Sequence, residues 1–230
     1  MKKKHNRNKV WMGFRCFLKI FKRKPTYIFL GEEFKDQAIY LSNHVGAQGP
    51  LLYELYFPKL FRFWGVHDMN DGFKARFKYL STTYFHDKKH MPKWLAFIIA
   101  IPATPVMGIF YKGIRLIPTY TDYRLIKSVK MSLNELDQGN SLIIFPENSS
   151  DGYHKVLTQY FPGFYILAKK AYEKGLDLDI YNMYYHRKQK KVVVDKPIKF
   201  SELEALNLEK EVIAEMFKDR ANELGAMKFE

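Results

Sequence analysis

The sequence predicts an α/β domain, a mixed and largely parallel sheet flanked by helices, with a basic amphipathic helix in front of it. Three observations lead there. Short apolar runs such as Ala38-Ile39-Tyr40-Leu41 and Leu142-Ile143-Ile144-Phe145 stop soon after at Gly or Pro, as buried strands do. Between them stand segments of helical spacing: Leu125, Val129, Leu133 and Leu136 fall on one face, and Gly139 supplies a C-terminal stop. Strand, helix and strand in that order form a parallel unit. The third observation is charge: residues 1–24 hold ten Lys or Arg and no Asp or Glu.

The chain divides into residues 1–24, read as a membrane-surface segment, and residues 25–230, read as a single domain. Its 230 residues suit one core of that size. From Lys9 to Lys24, Val10, Phe14, Phe17 and Phe21 recur at helical spacing with Trp11, Leu18 and Ile20 beside them and Arg15, Lys19, Lys22 and Arg23 elsewhere. A basic helix of this kind lies in a membrane interface, where each Lys or Arg near anionic lipid contributes about 1 kcal/mol. The segment carries too much charge to span a bilayer and lacks the apolar run and cleavage site of a signal peptide. The bland alternative is a solvated tail with a core-packing helix. No nucleic-acid reading module accompanies the basic residues, so nucleic acid is not an expected partner.

Tyr27-Ile28-Phe29-Leu30, ended by Gly31, reads as a strand beside the one that follows it. Ala38 to Leu41 is that next strand, and Gly46, Gly49 and Pro50 end it and open a helix over 51–57. His44 therefore occupies a strand-to-helix corner, the place where open α/β sheets bind ligands. After Pro58 comes an aromatic stretch, Leu60 to Trp64, and a loop with His67, Asp68 and Asn70. His86 and His90 share a helical spacing but have no third ligand in view, so they are read as surface residues and no metal site is expected. Residues 94–111 form the longest apolar stretch, broken by Pro102, Pro105 and Gly108, and read as a buried helix, a turn and a second short helix, with a shallow membrane-inserted element as the alternative. Glu147 follows the 142–145 strand directly after Pro146. Strands are expected at about 178–184 and 191–194. Ser201 and Glu204 have the spacing of a capping box, before a helix with Leu206, Leu208, Val212, Ile213, Met216 and Phe217 on its apolar side.

Asn43-His44 after one strand and Phe145-Pro146-Glu147 after another resemble two sequence blocks of the glycerolipid acyltransferase superfamily, the 1-acylglycerol-3-phosphate acyltransferases and their relatives. There the first block is Asn-His, four residues, Asp, and the third is Phe-Pro-Glu-Gly-Thr-Arg. The resemblance runs from Ile28 to about Ile198. It takes in Gly113 to Thr119 as the second block, a glycine leading a strand, and Tyr160-Phe161-Pro162-Gly163 as the opening of a helix packed near the site. It implies transfer of a fatty acyl group from a thioester, acyl-CoA or acyl carrier protein, to a hydroxyl or amine of a lipid or sugar-like acceptor. No cofactor is implied.

The chemistry fits those residues. Attack by an alcohol on a thioester requires a base, and His44 is the side chain suited to it. Backbone N–H groups at the Gly46 to Gly49 corner are candidates for holding the oxyanion, since a helix N-terminus leaves amides unpaired. Asn43, Glu147, Ser149 and Gly163 complete the expected substrate-binding set. Three departures from the pattern matter. The Asp that orients the base falls at Gly49, which leaves Glu54, Asp68 or a backbone carbonyl to orient the ring. The two arginines that grip an acceptor phosphate fall at Thr119 and Ser150, which points to an acceptor without phosphate unless Arg115, Arg124 or Lys155 takes their place. The other class of function open to such a chain is a catalytically silent relative that binds lipid or a membrane partner. What meets the His44 ring separates the two: a carboxylate or carbonyl supports an enzyme, an apolar wall a binder.

Cys16 is the single cysteine, so no disulfide forms within the chain. Its formal charge of +14 comes mostly from the first 24 residues. Together these place the protein at the cytoplasmic face of a membrane, peripheral or monotopic, with an anionic surface as partner.

Overall fold

The computed structural model describes residues 9–120, 122–149 and 152–229. Helix α1 (Lys9–Phe21) leads to strands β1 (Thr26–Phe29) and β2 (Ile39–Ser42), then helix α2 (Gln48–Tyr56) and strand β3 (Phe61–Val66). Helix α3 (Phe73–Lys78) runs directly into a π-helical segment, Tyr79–Asp87, and α4 (Lys93–Ile114) follows. Strand β4 (Ile117–Thr119), helix α5 (Leu125–Asp137), strand β5 (Ser141–Ile144) and helix α6 (Gly163–Tyr172) come next. Strands β6 (Asp179–His186), β7 (Lys191–Val194) and β8 (Ile198–Lys199) and helices α7 (Phe200–Ala205) and α8 (Lys210–Ala226) complete the chain.

The sheet has eight strands in the order β1-β7-β6-β2-β5-β3-β4, with β8 on β6. Strands β6, β2, β5, β3 and β4 run parallel, and β7 and β8 run antiparallel to β6. The expected mixed, largely parallel sheet is therefore observed, and β4, α5 and β5 form the expected parallel unit, with β3 between the two strands. One placement is corrected: β1 pairs with β7, not with the strand that bears His44. Both are largely apolar inner strands, and only long-range pairing chooses between them.

Side chains alternate across the sheet and both faces are covered, so the central strands are largely apolar on both sides. Ile39, Leu41, Leu142, Ile144 and Ile180 face an aliphatic layer closed by α5, α6 and α8. Tyr40, Phe61, Phe63, Ile143 and Tyr181 face an aromatic layer under α1, α2 and α4.

Four further expectations need correction. Residues 94–111 belong to one continuous helix, α4, with Pro102 and Pro105 inside it, rather than to two buried ones. Its inward stripe is Ala96, Ala100, Thr104 and Gly108, while Trp94, Phe97, Ile98, Ile101, Val106 and Ile109 are exposed. Gly113 does not lead a strand: it lies in the last turn of α4, where a Cβ would sit 2.4 Å from the Trp11 ring, so glycine here makes room for α1. The Ser201–Glu204 capping box does not form. Ser201 instead donates to Asp177 through both its N–H and its hydroxyl, and Glu204 accepts from Tyr165 and Lys169. Finally, the C-terminal apolar set does not share one helix: Leu206 and Leu208 lie in the connection between α7 and α8, and the rest lie in α8. Ile213 and Phe217 are buried, but Leu206, Leu208, Val212 and Met216 are exposed.

Candidate active site

His44 lies just beyond the end of β2, at the carboxyl rim of the sheet, with Glu147 just beyond the end of β5 beside it. The corner between β2 and α2 is tight: Val45 and Gly46 both take left-handed conformations, φ 45° and 62°. A β-branched residue there costs on the order of 1–3 kcal/mol, a strain that surrounding structure must hold in place. The turn folds the chain back, so that the ring Nδ1–H donates to the Gly46 carbonyl at 2.8 Å. A carbonyl can only accept, so this bond fixes the tautomer: Nδ1 carries the proton and Nε2 the lone pair.

No side chain fits at Gly49. A Cβ there would lie 2.4 Å from the His44 carbonyl oxygen, because the first turn of α2 closes directly over it. The carboxylate of the resembling family is thus excluded by the backbone, and the Gly46 carbonyl occupies the orienting role. Glu54 does not take that role. It is fully buried on α2, accepting from the Trp11 indole N–H at 2.9 Å and pairing with Arg15 at 3.3 Å, and so fastens α1 to the body. Asp68 sits 3.9 Å from His67 instead.

Glu147 is buried and its Oε2 accepts the His44 backbone N–H at 3.0 Å, which pins the corner from the neighbouring strand. Burial raises its pKa, against hydrogen bonds from the His44 and His154 amides and the charge of Lys88. Asn43 is clamped to β6: its side chain accepts the Tyr185 N–H at 2.7 Å and donates to the Tyr185 carbonyl at 3.3 Å. The ring of His44 stacks on Tyr153, centroids 4.9 Å apart, and tilts against Phe145 at 4.8 Å. Burial, with the charges of Lys88 and Lys89 nearby, pushes the His44 pKa down to about 4, while the Gly46 carbonyl opposes the shift. The ring is therefore neutral at physiological pH. Its basicity is lowered in return.

Lys88, Lys89 and Tyr153 were not legible as site residues. Both ammonium groups lie over the Tyr153 ring, at 5.7 and 5.6 Å from its centroid, and Lys88 donates to Ser149 at 2.8 Å. A Lys-Lys pair ending a polar stretch reads as solvated surface, and nothing local distinguishes this one. Ser149 is thus at the site, half-buried. Gly163 packs against Trp64, which lines the cavity at His44: a Cβ there would meet the indole at 3.2 Å. Thr119 donates to the Gly65 carbonyl at 3.0 Å. Arg124 forms a bidentate pair with Asp122 and lies over Tyr120, Arg115 caps α4, and neither they nor Lys155 line the cavity at His44. Ser150 lies outside the described residues, as does 1–8 of the basic N-terminal segment. Among the described residues no three His, Cys, Asp or Glu side chains are grouped as metal ligands.

His44 lines an apolar cavity of about 340 Å³. Its walls come from β3 (Phe63, Trp64), the π-helical segment (Tyr79, Leu80, Tyr84, Phe85), α4 (Met107, Tyr111) and α1 (Phe14, Leu18). A neutral imidazole in the wall of such a cavity can take a proton from one reactant while an aliphatic chain fills the space beside it. No family model matches the sequence, and no curated protein does. Among solved structures the chain is similar to the 1-acyl-sn-glycerophosphate (LPA) acyltransferase PlsC from Thermotoga maritima, with a TM-score of 0.53 over 96% of this chain and 91% of that one. The chain shares the fold of that enzyme. At 11% identity the likeness is one of architecture, and the side chains at the corner stand on their own geometry.

Proposed function

We propose that the protein is a membrane-associated acyltransferase that moves a fatty acyl group from a thioester to a hydroxyl of a lipid or sugar-like acceptor. The observation that carries this reading is the His44 ring, its tautomer set by the Gly46 carbonyl, in the wall of an apolar cavity and with no hydrogen-bond partner for Nε2 among the described residues. In the reaction Nε2 accepts the proton of the attacking hydroxyl. The acyl chain occupies the cavity, and amides of the first turn of α2 stabilise the oxyanion. The proton then passes from the imidazolium to the leaving thiolate. A carbonyl orients the ring but carries no full charge, so the imidazolium is stabilised less than by a carboxylate, and turnover is correspondingly slow. Lys88 and Lys89 bring positive charge to the acceptor side, from positions other than the two arginines of the resembling family.

Membrane attachment is supported by two faces. α1 exposes Met12, Phe14, Phe17, Ile20 and Phe21, and α4 exposes large apolar residues while turning small ones inward, the reverse of a water-facing helix. α4 is also long and apolar enough to cross a membrane by length and composition, though here it packs alongside the body. Since α1 and α4 both line the cavity, a chain entering from the lipid reaches His44 without crossing water. His44→Ala is expected to lower acyl transfer by about 10²- to 10⁴-fold with the far-UV spectrum unchanged. Transfer at the parental rate, measured with a radiolabelled acyl thioester, would end the assignment of His44 as base.

A further inference from the structure

The loop that leaves β5 brings a hydroxyl against an amine. Ser149 is half-buried two residues after Glu147, and Lys88 Nζ lies 2.8 Å from its Oγ. Among the described residues no other Ser or Thr hydroxyl meets a lysine. Ser128, Ser132, Thr104 and Thr119 donate to backbone carbonyls, and Ser201 donates to the Asp177 carboxylate. Those bonds hold the hydroxyl proton in place, whereas a neutral amine can remove it. Lys88 also differs from other lysines of the chain. Lys35, Lys169 and Lys218 are hydrogen-bonded to carboxylates that raise their pKa, while burial lowers that of Lys88 against the charge of Glu147. A lowered pKa enlarges the neutral fraction, and the contact then runs in reverse, with the hydroxyl donating to Nζ.

The pair is held, and held at the site. Asn148 is fastened to Gln159 through its N–H at 3.0 Å and its side chain at 2.8 Å, and the Ser149 carbonyl accepts the Gly152 N–H at 3.3 Å. β2 and β5 are neighbours, so the loops bearing His44 and Ser149 leave the same rim. Tyr153 joins them: its ring stacks on His44 with centroids 4.9 Å apart, and Lys88 Nζ stands 5.7 Å from that ring's centroid. Glu147 faces Lys88 as a carboxylate, Lys89 lies over the same Tyr153 ring at 5.6 Å, and His44 feels the Lys88 charge. A hydroxyl within hydrogen-bond reach of an amine whose charge is disfavoured is the arrangement of an activated nucleophile.

We propose that Ser149 is a nucleophile and Lys88 its base, so that acyl transfer passes through an acyl ester on Ser149. The fate given to that acyl group rests on the acyltransferase reading. In the first half, neutral Lys88 takes the Ser149 proton as Oγ bonds to the thioester carbonyl carbon. The carbon–sulfur bond breaks, and the sulfur leaves with the electron pair, takes the proton back from the Lys88 ammonium and departs as the thiol. In the second half the acceptor hydroxyl attacks the ester carbonyl while His44 takes its proton. The Ser149 oxygen leaves with its bonding pair and receives that proton, so His44 returns it to the serine rather than to a thiolate. Nothing is oxidised or reduced, and all three side chains end as they began. Splitting one difficult step into two suits a His44 of lowered basicity.

The test mixes the full chain with the octanoyl thioester of N-acetylcysteamine, quenches in acid and maps the acyl group by peptide mass spectrometry, with n-octyl glucoside and monooleoylglycerol as acceptors. The octanoyl ester is expected on Ser149, accumulating in His44→Ala, where the second half is blocked, and absent from Ser149→Ala. Lys88→Met should slow its formation about 10²- to 10⁴-fold, as loss of a general base does. Ser149→Cys should carry the acyl group as a thioester that neutral hydroxylamine releases. Double-reciprocal plots for the parent should be parallel. kcat/KM for the thioester should rise with pH through the Lys88 pKa, while that for the acceptor keeps the acid limb of His44. Absence of the ester from His44→Ala overturns the proposal; where Ser149→Ala then transfers at the parental rate, direct attack through His44 stands. An octanoyl amide on Lys88 in place of the ester also overturns it. An ester on Ser149 that passes to water but to neither acceptor upholds the nucleophile and removes the acyltransferase reading instead.

Discussion

The two helical layers that cover the sheet are finished in opposite ways. On the aliphatic side α8 buries Ile213, Ala214, Phe217, Ala221 and Leu224, and its exposed positions are largely charged. On the aromatic side α4 buries Ala96, Ala100, Thr104 and Gly108 and exposes Phe97, Ile98, Ile101, Val106 and Ile109. Small residues let α4 lie close to its neighbours. Its large side chains are left outside, where water does not stabilise them. One layer is finished with charged residues, the other is left incomplete, with large apolar side chains outside, and the cavity at His44 lies on the incomplete side.

The largest expected effect breaks the incomplete side. Replacing Ile98 and Ile101 together by Ser should weaken association with vesicles by about 3–6 kcal/mol if both side chains are immersed, at about 1.5–3 kcal/mol each. Stability should change by no more than about 0.5 kcal/mol per site. Sedimentation with liposomes and a urea titration read the two quantities; unaltered sedimentation together with lost stability would show that α4 packs in the protein's own core.

Next in size is the complete side. Phe217 is buried against Phe164, ring centroids 5.2 Å apart, so Phe217→Ala should cost about 3–5 kcal/mol in urea unfolding. Its vesicle binding should match the parent's. If Phe217→Ala and the α4 double variant behave alike in both assays, the two layers are not different in kind.

The smallest effect concerns pH. A pKa of about 4 leaves His44 unprotonated above that value, so kcat/KM should be lost only as pH falls through about 4 rather than through the ordinary histidine value. Lys88 lowers the His44 pKa by its charge and lowers that of Glu147 as well, so Lys88→Met should move the acid limb upward on both counts. An acid limb that stays in place, or moves down, would mean that Lys88 does not face the titrating group.

The sequence by itself determined most of the secondary structure and the corner. Apolar runs ended by Gly or Pro marked β2 and β5, helical spacing marked α5, and the resemblance drew Asn43-His44 and Glu147 to the same rim. These signals are local, or repeat a short pattern. What only the tertiary structure decided depends on distant segments meeting: β1 choosing β7, Glu54 holding α1, and Lys88, Lys89 and Tyr153 gathering over His44. The outward face of α4 belongs here too, because a 22-residue apolar helix has the same composition whether its large side chains point in or out. The partner of the His44 ring is the sharpest case. Gly49 in the sequence says that a carboxylate is missing, but that a carbonyl two residues away replaces it follows from φ at Val45 and Gly46, which a residue's identity permits without imposing.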